Sequence, residues 1–96
     1  MSYKLRTTPY ADELAEPARI FFPRSKSEGR LERLKFKHGP AKGKEGYRFS
    51  WWKDGRMLPR PLDVTESELF ALLRAALQGE VFSRQSLREL RAMFKG

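Results

Sequence analysis

Along this chain the spacing of apolar residues changes period once, near residue 64. Over 47–53 (YRFSWWK) large side chains alternate, with Tyr47, Phe49 and Trp51 on one side and Arg48, Ser50 and Trp52 on the other. That period of two is the mark of a half-buried strand. Leu34 and Phe36 alternate with Lys35 and Lys37 in the same way, so residues 31–37 are expected to form a second strand. Residues 18–22 (ARIFF), closed by Pro23, form a short β-prone run, followed by the polar turn PRSKSEGR. Asp54-Gly55 suits a two-residue hairpin turn, because both residues tolerate positive φ. The return strand, 56–64, holds Pro59 and Pro61, so it should lie at an edge or be broken by a bulge.

Beyond residue 64 the period becomes helical. Thr65-Glu66-Ser67-Glu68 is a capping box, with Val64 and Leu69 placed as a hydrophobic staple. Leu69, Leu72, Leu73, Ala76 and Leu77 make the apolar stripe, and Gly79 is the expected stop. A last helix should start at Ser83 or at Ser86, with Leu87, Leu90 and Phe94 inside. Near the N-terminus, Thr8-Pro9 followed by Asp12 and Glu13 reads as a short helix, with Tyr10 and Leu14 on its buried face and Pro17 ending it. The expected fold class is α+β: a short N-terminal helix, a twisted antiparallel sheet of about four strands, then one or two C-terminal helices. Ninety-six residues suit a single domain (1–96), with 83–96 as an appended basic amphipathic helix.

Charge adds a direction to this picture. The net charge is +8, yet residues 1–17 carry −1 and residues 61–96 carry none. The β-forming middle, 18–60, holds thirteen Lys or Arg against four carboxylates, a net of +9. A surplus confined to one region is the footprint of a polyanion partner. The N-terminus lacks the apolar run of a signal peptide, and 69–77 is interrupted by Arg74 and too short for a bilayer, so no membrane partner is expected. With no cysteine, an intracellular, cytoplasmic home is the natural expectation.

Catalytic chemistry finds little material. His38 is the single histidine and Cys is absent, which excludes His-rich and Cys-based metal sites. The loop GPAKGKEG lacks the spacing of a phosphate loop, and Glu45 stands where Ser or Thr must hold magnesium. The carboxylate pairs Asp12/Glu13 and Glu66/Glu68 are accounted for by helix N-termini. No enzyme activity and no cofactor are expected.

What remains is the interleaving of cations and rings. Single strands offer phosphates to cations and flat bases to aromatic rings. The candidate nucleic-acid-binding residues are Arg33, Lys35, Lys37, Lys42, Lys44, Arg48, Trp52, Lys53 and Arg56. Tyr47, Phe49 and Trp51 are assigned to the core beneath the helices, which leaves Trp52 facing outward beside Arg48. A bulge near the turn would return it to the core. Arg84, Arg88 and Arg91 either track phosphates or form a solvated face. Residues 38–46 read as a mobile, cationic loop.

The order LERLKFKHGPAKGKEGYRFSWW, a turn, a strand ending PLDVT, then ESELFALLRAAL resembles the positive-cofactor-four family over about half the chain. Here Leu58-Pro59-Arg60-Pro61 replaces the family's glycine-lysine-glycine entry to the last strand, and a C-terminal helix is added. The resemblance implies a curved four-stranded sheet followed by a helix, and a homodimer binding single-stranded DNA. It implies Lys35, Lys37, Arg48 and Trp52 as DNA contacts and Leu69, Leu72 and Leu73 as dimer or core contacts. A homodimer is also expected because a proline-bearing edge and one dominant helix leave apolar surface to be covered. The segment GYRFSWWKDGR also resembles the three-stranded arm-binding domain of tyrosine recombinases, which implies duplex DNA instead. A protein-binding inhibitor or adaptor of phage type is the reading from another class.

Overall fold

The computed structural model describes residues 3–95. Five strands precede two helices: β1 (Ala11–Glu13), β2 (Ala18–Phe22), β3 (Ser27–Phe36), β4 (Glu45–Lys53), β5 (Arg56–Met57), α1 (Glu66–Gln78) and α2 (Arg84–Lys95). The fold is α+β, a curled antiparallel sheet followed by the helices. Long β3 is its spine. One side of β3 pairs with β2 along its first half and with β1 along its last three residues, and the other side pairs with β4. β3 begins four residues earlier than its apolar pattern suggests, because Ser27 pairs with Phe22 of β2 and Glu28 to Arg30 pair with both β2 and β4. Gly29 lies in that stretch, where a Cβ would meet the Phe22 ring at 3.0 Å and Leu62 at 3.1 Å.

The expected N-terminal helix is a strand instead. Thr8 Oγ1 does accept the backbone N–H groups of Tyr10 (3.2 Å) and Ala11 (3.1 Å), as a helix cap would. The turn it closes then straightens, and Ala11, Asp12 and Glu13 pair with Phe36, Lys35 and Leu34. With Pro17 so close, a helix here had room for barely two turns, too few to persist without packing. A ladder along β3 satisfies the same backbone groups against a preformed neighbour. Tyr10, expected inside, is 68% exposed, whereas Glu13 is buried.

The hairpin at Asp54-Gly55 forms as expected, both residues having positive φ (52° and 75°). The return strand stops after two residues, before Pro59 and Pro61. The chain then passes Gly29 with Leu62 and enters α1 through the expected capping box, in which Thr65 and Glu68 satisfy each other's backbone N–H. Ser83 caps α2, its Oγ accepting the Ser86 N–H at 3.1 Å.

Alternation along β3 and β4 gives the sheet two faces. On the first, Leu31 and Ala18 meet Leu72 and Ala76 of α1, together with Val81, forming the buried core. α1 packs over β2 and β3 and leaves β4 uncovered. The N-terminal segment lies over the second face, where Leu34, Trp52, Glu13, Glu32 and Ser50 are buried. α2 has no buried residue; Leu87 and Leu90 are half-buried, while Met93 and Phe94 are exposed. Among the described residues no helix is long and apolar enough to cross a membrane.

Candidate nucleic-acid interface

β4 is the strand on which the expected site rests, and its pairing with β3 is regular, Lys35 to Glu28 opposing Glu45 to Trp52 without a bulge. Its side chains therefore fall on opposite faces as the alternation requires. The expected core and solvent positions are exchanged at Trp52 and Phe49, while Trp51 is half-buried. Trp52, expected outward, is 5% exposed, while Phe49, expected in the core, is 52% exposed. The cause is tertiary: the N-terminal segment covers the Trp52 face, and α1 stops short of β4.

Trp52 has its own partners. The Arg30 and Arg6 guanidinium carbons lie 4.2 and 4.5 Å from its ring centre, and its Nε1 donates to Ser50 Oγ at 2.8 Å. A ring so enclosed offers no face to a base. Arg48 is likewise engaged, donating to both oxygens of Glu32 (3.1 and 3.3 Å). Glu32, 2% exposed, also accepts from Ser50 Oγ at 2.6 Å. A cavity of about 230 Å³ opens beside this cluster. Arg6 and Arg48 in its wall are balanced by Glu13 and Glu32, so it holds no net attraction for a polyanion.

Two other expected contacts serve the fold. Lys37 Nζ donates to Thr7 Oγ1 (2.9 Å) and the Thr8 carbonyl (3.1 Å) and pairs with Asp12 at 2.8 Å, binding the N-terminal segment to the end of β3. Its hydrogen bond, then that from Thr7, holds the Asp12 carboxyl below its ordinary value. Arg33 reaches the Leu14 carbonyl at 3.3 Å, and its Nε is buried.

Five of the nine remain exposed, with side chains that make no ion pair or hydrogen bond among the described residues: Lys35, Lys42, Lys44, Lys53 and Arg56. Lys35, Lys42 and Lys44 cluster at the β3–β4 loop. That loop is built from successive turns, Gly43 N–H bonding the Phe36 carbonyl (2.8 Å) and Lys44 N–H the Ala41 carbonyl (2.9 Å). Lys53 and Arg56 stand opposite each other at the β4–β5 turn, and exposed Lys26 lines the same shallow cleft as Lys53.

Between the two clusters runs a face of β4 that α1 does not reach, open at Phe49 and partly covered on either side: Tyr47 (36% exposed), whose ring centre lies 5.5 Å from that of Phe82, and half-buried Trp51. Trp51 Nε1 donates to Ser27 Oγ at 2.7 Å, which fixes its ring. Tyr47 Oη accepts the Ser83 N–H (3.2 Å) and shares a hydrogen bond with Ser86 Oγ (2.9 Å) at the start of α2. Burial raises the Tyr47 hydroxyl, but the Ser86 and Ser83 hydrogen bonds outweigh it and hold it below its ordinary value. On α2, Arg84, Arg88, Arg91 and Lys95 follow one another at intervals of four, three and four residues, so they form one exposed ridge. Phe49 and Lys26 were missed in the sequence: the period marks two faces without saying which is covered, and Lys26 lies in a turn.

Compared with family models, with curated proteins and with solved structures, the chain matches none. The reading of this surface therefore rests on its geometry alone.

Proposed function

We propose that the protein is a non-catalytic, intracellular nucleic-acid-binding domain that takes single-stranded DNA or RNA along the face of β4 that α1 does not reach. The observation that carries this reading is the aromatic row of exposed Phe49 between partly exposed Tyr47 and half-buried Trp51, with free cations at both ends. Nine strand residues span about 26 Å from end to end, a length over which several nucleotides can lie. Bases would stack on Phe49 and Tyr47, while Lys35, Lys42, Lys44, Lys53 and Arg56 meet phosphates. No cofactor takes part. This arrangement keeps the resemblance to the positive-cofactor-four family as a working comparison but moves the stacking platform from Trp52 to Phe49.

The test is fluorescence anisotropy with single-stranded DNA, duplex DNA and RNA of matched length. Single strands should bind tightest, more weakly as salt rises, and Phe49→Ala should cost about 1–3 kcal/mol of binding, the range for one lost stacked base. A flat salt response, or an unchanged affinity in Phe49→Ala, would sink this reading. The protein-binding alternative has one observation in its favour: Phe70, Leu77, Met93 and Phe94 expose apolar surface on the helices that nucleic acid does not need.

A further inference from the structure

β4 has a complete neighbour on one side only. On its other side β5 reaches Trp52 and Lys53, and the Leu58 N–H donates to the Trp51 carbonyl at 2.7 Å. That bond shows which way the backbone points: odd-numbered residues of β4 turn their N–H and C=O groups toward this edge. Tyr47 and Phe49 thus present two donors and two acceptors with no backbone partner among the described residues. α2 meets β4 through the Tyr47 hydroxyl at Ser86 and leaves these backbone groups open.

Sheet edges are ordinarily blunted by proline, by exposed lysine, or by a bulge. Over residues 45–50 this strand has none of these. Its one cation, Arg48, is held by Glu32, and its single carboxylate, Glu45, sits at the very end. The prolines that would protect the edge, Pro59 and Pro61, instead end β5 early and leave the edge open.

We propose that β4 pairs antiparallel with β4 of a second copy of this chain, about a two-fold axis at Arg48. In this register Tyr47 of each copy stands opposite Phe49 of the other, and Gly46 opposite Ser50. The ladder then runs from Gly46 to Ser50 and no further, because Glu45 would oppose Trp51, whose carbonyl the Leu58 N–H already holds. Sliding the axis to Phe49 would bring Tyr47 itself to that occupied position and Gly46 against Trp52, where β5 sits. Sliding it to Tyr47 leaves one aromatic pair, Tyr47 with Tyr47, and sets each Phe49 against Glu45. The chosen register keeps two aromatic cross-strand pairs and the reciprocal backbone bonds of Tyr47 with Phe49. Arg48 meets Arg48, but each is neutralised by its own Glu32. A second copy fits better than an unrelated strand because small faces small and ring faces ring on both sides of the axis.

Two consequences follow. An axis normal to the sheet keeps both aromatic rows on one face, so pairing joins them into a platform of six rings. Each copy carries +8, so long-range repulsion opposes pairing and salt relieves it. Pairing should strengthen with salt, the opposite of nucleic-acid binding. The pairing stands without the nucleic-acid reading, and the opposed salt responses keep the two apart.

The experiment is light scattering on the full chain as concentration and salt rise, with amide exchange at single residues. The expected mass moves from 11.2 kDa toward twice that value, and the Tyr47 and Phe49 amides become protected as concentration rises. Phe49→Pro, which removes an N–H unused in the monomer, should stay monomeric with an unchanged circular-dichroism spectrum. If that variant fails to fold, the exchange data on the unmodified chain still decide. A monomer throughout, a dimer whose Tyr47 and Phe49 amides exchange freely, or edge protection gained only on adding an acidic peptide would each overturn the proposal. A dimer indifferent to nucleic acid would leave it standing and remove the stacking role of Phe49.

Discussion

Trp51 and Trp52 are chemically identical neighbours with different duties. Trp52 is enclosed by Arg6, Arg30 and Ser50, so Trp52→Ala should cost about 3–5 kcal/mol of stability as a large-to-small core change. Trp51 is half-buried and held by Ser27, and Trp51→Ala should cost clearly less. Urea denaturation of the pair checks the ranking, and equal losses would mean that the faces of β4 are not distinguished by packing. Tyr3 gives a pH signature. Burial, then its hydrogen bond to Glu13, pushes its hydroxyl from 10.0 up to about 12. A group raised in the folded state contributes stability that is full below pH 10.0 and is lost as pH climbs toward about 12. Absorbance at alkaline pH should show one of the three tyrosines ionising late, and Tyr3→Phe should remove that step.

At the scale of elements, local chemistry carried much of the information. The capping box at Thr65, the positive-φ turn at Asp54-Gly55 and the two prolines after β5 each act within a few residues, and each appears where its pattern lies. Thr65→Ala should therefore cost about 1 kcal/mol, read by urea denaturation. The N-terminal segment shows where local chemistry fails: Thr8 makes the bonds of a helix cap, yet the long-range ladder to β3 prevails. Helix α2 raises a different question, since its cationic ridge is fully exposed and its packing slight. Replacing Arg84, Arg88 and Arg91 by Gln should leave the melting temperature unchanged. If those residues meet phosphates, the log–log salt slope of single-strand binding should become shallower by about 0.7 for each, roughly 2 in all. An unchanged slope assigns the ridge to solvent.

For the whole molecule the decisive quantity is where free charge remains after the fold has used what it needs. Of the nine cations and rings expected to bind nucleic acid, Arg33, Lys37, Arg48 and Trp52 are engaged in holding strands and the N-terminal segment together. Five cations stay free, which sets the expected single-strand salt slope at about −3 to −4 if all contribute. A slope much steeper than this would draw in α2, Lys26 or a second copy; one near zero would remove the electrostatic mechanism.

Strand alternation, turn chemistry, caps and the concentration of charge in residues 18–60 were legible from the chain, because each depends on neighbours a few positions apart. Fold class followed from them. Which face of β4 is covered was not legible, because the period of two is symmetric and names no inside. That choice was made by contacts across the fold: Arg6 over Trp52, forty-six residues apart, and α1 resting on β2 and β3 rather than on β4. The same long-range packing turned a plausible helix into β1 and placed Phe49, rather than Trp52, at the surface.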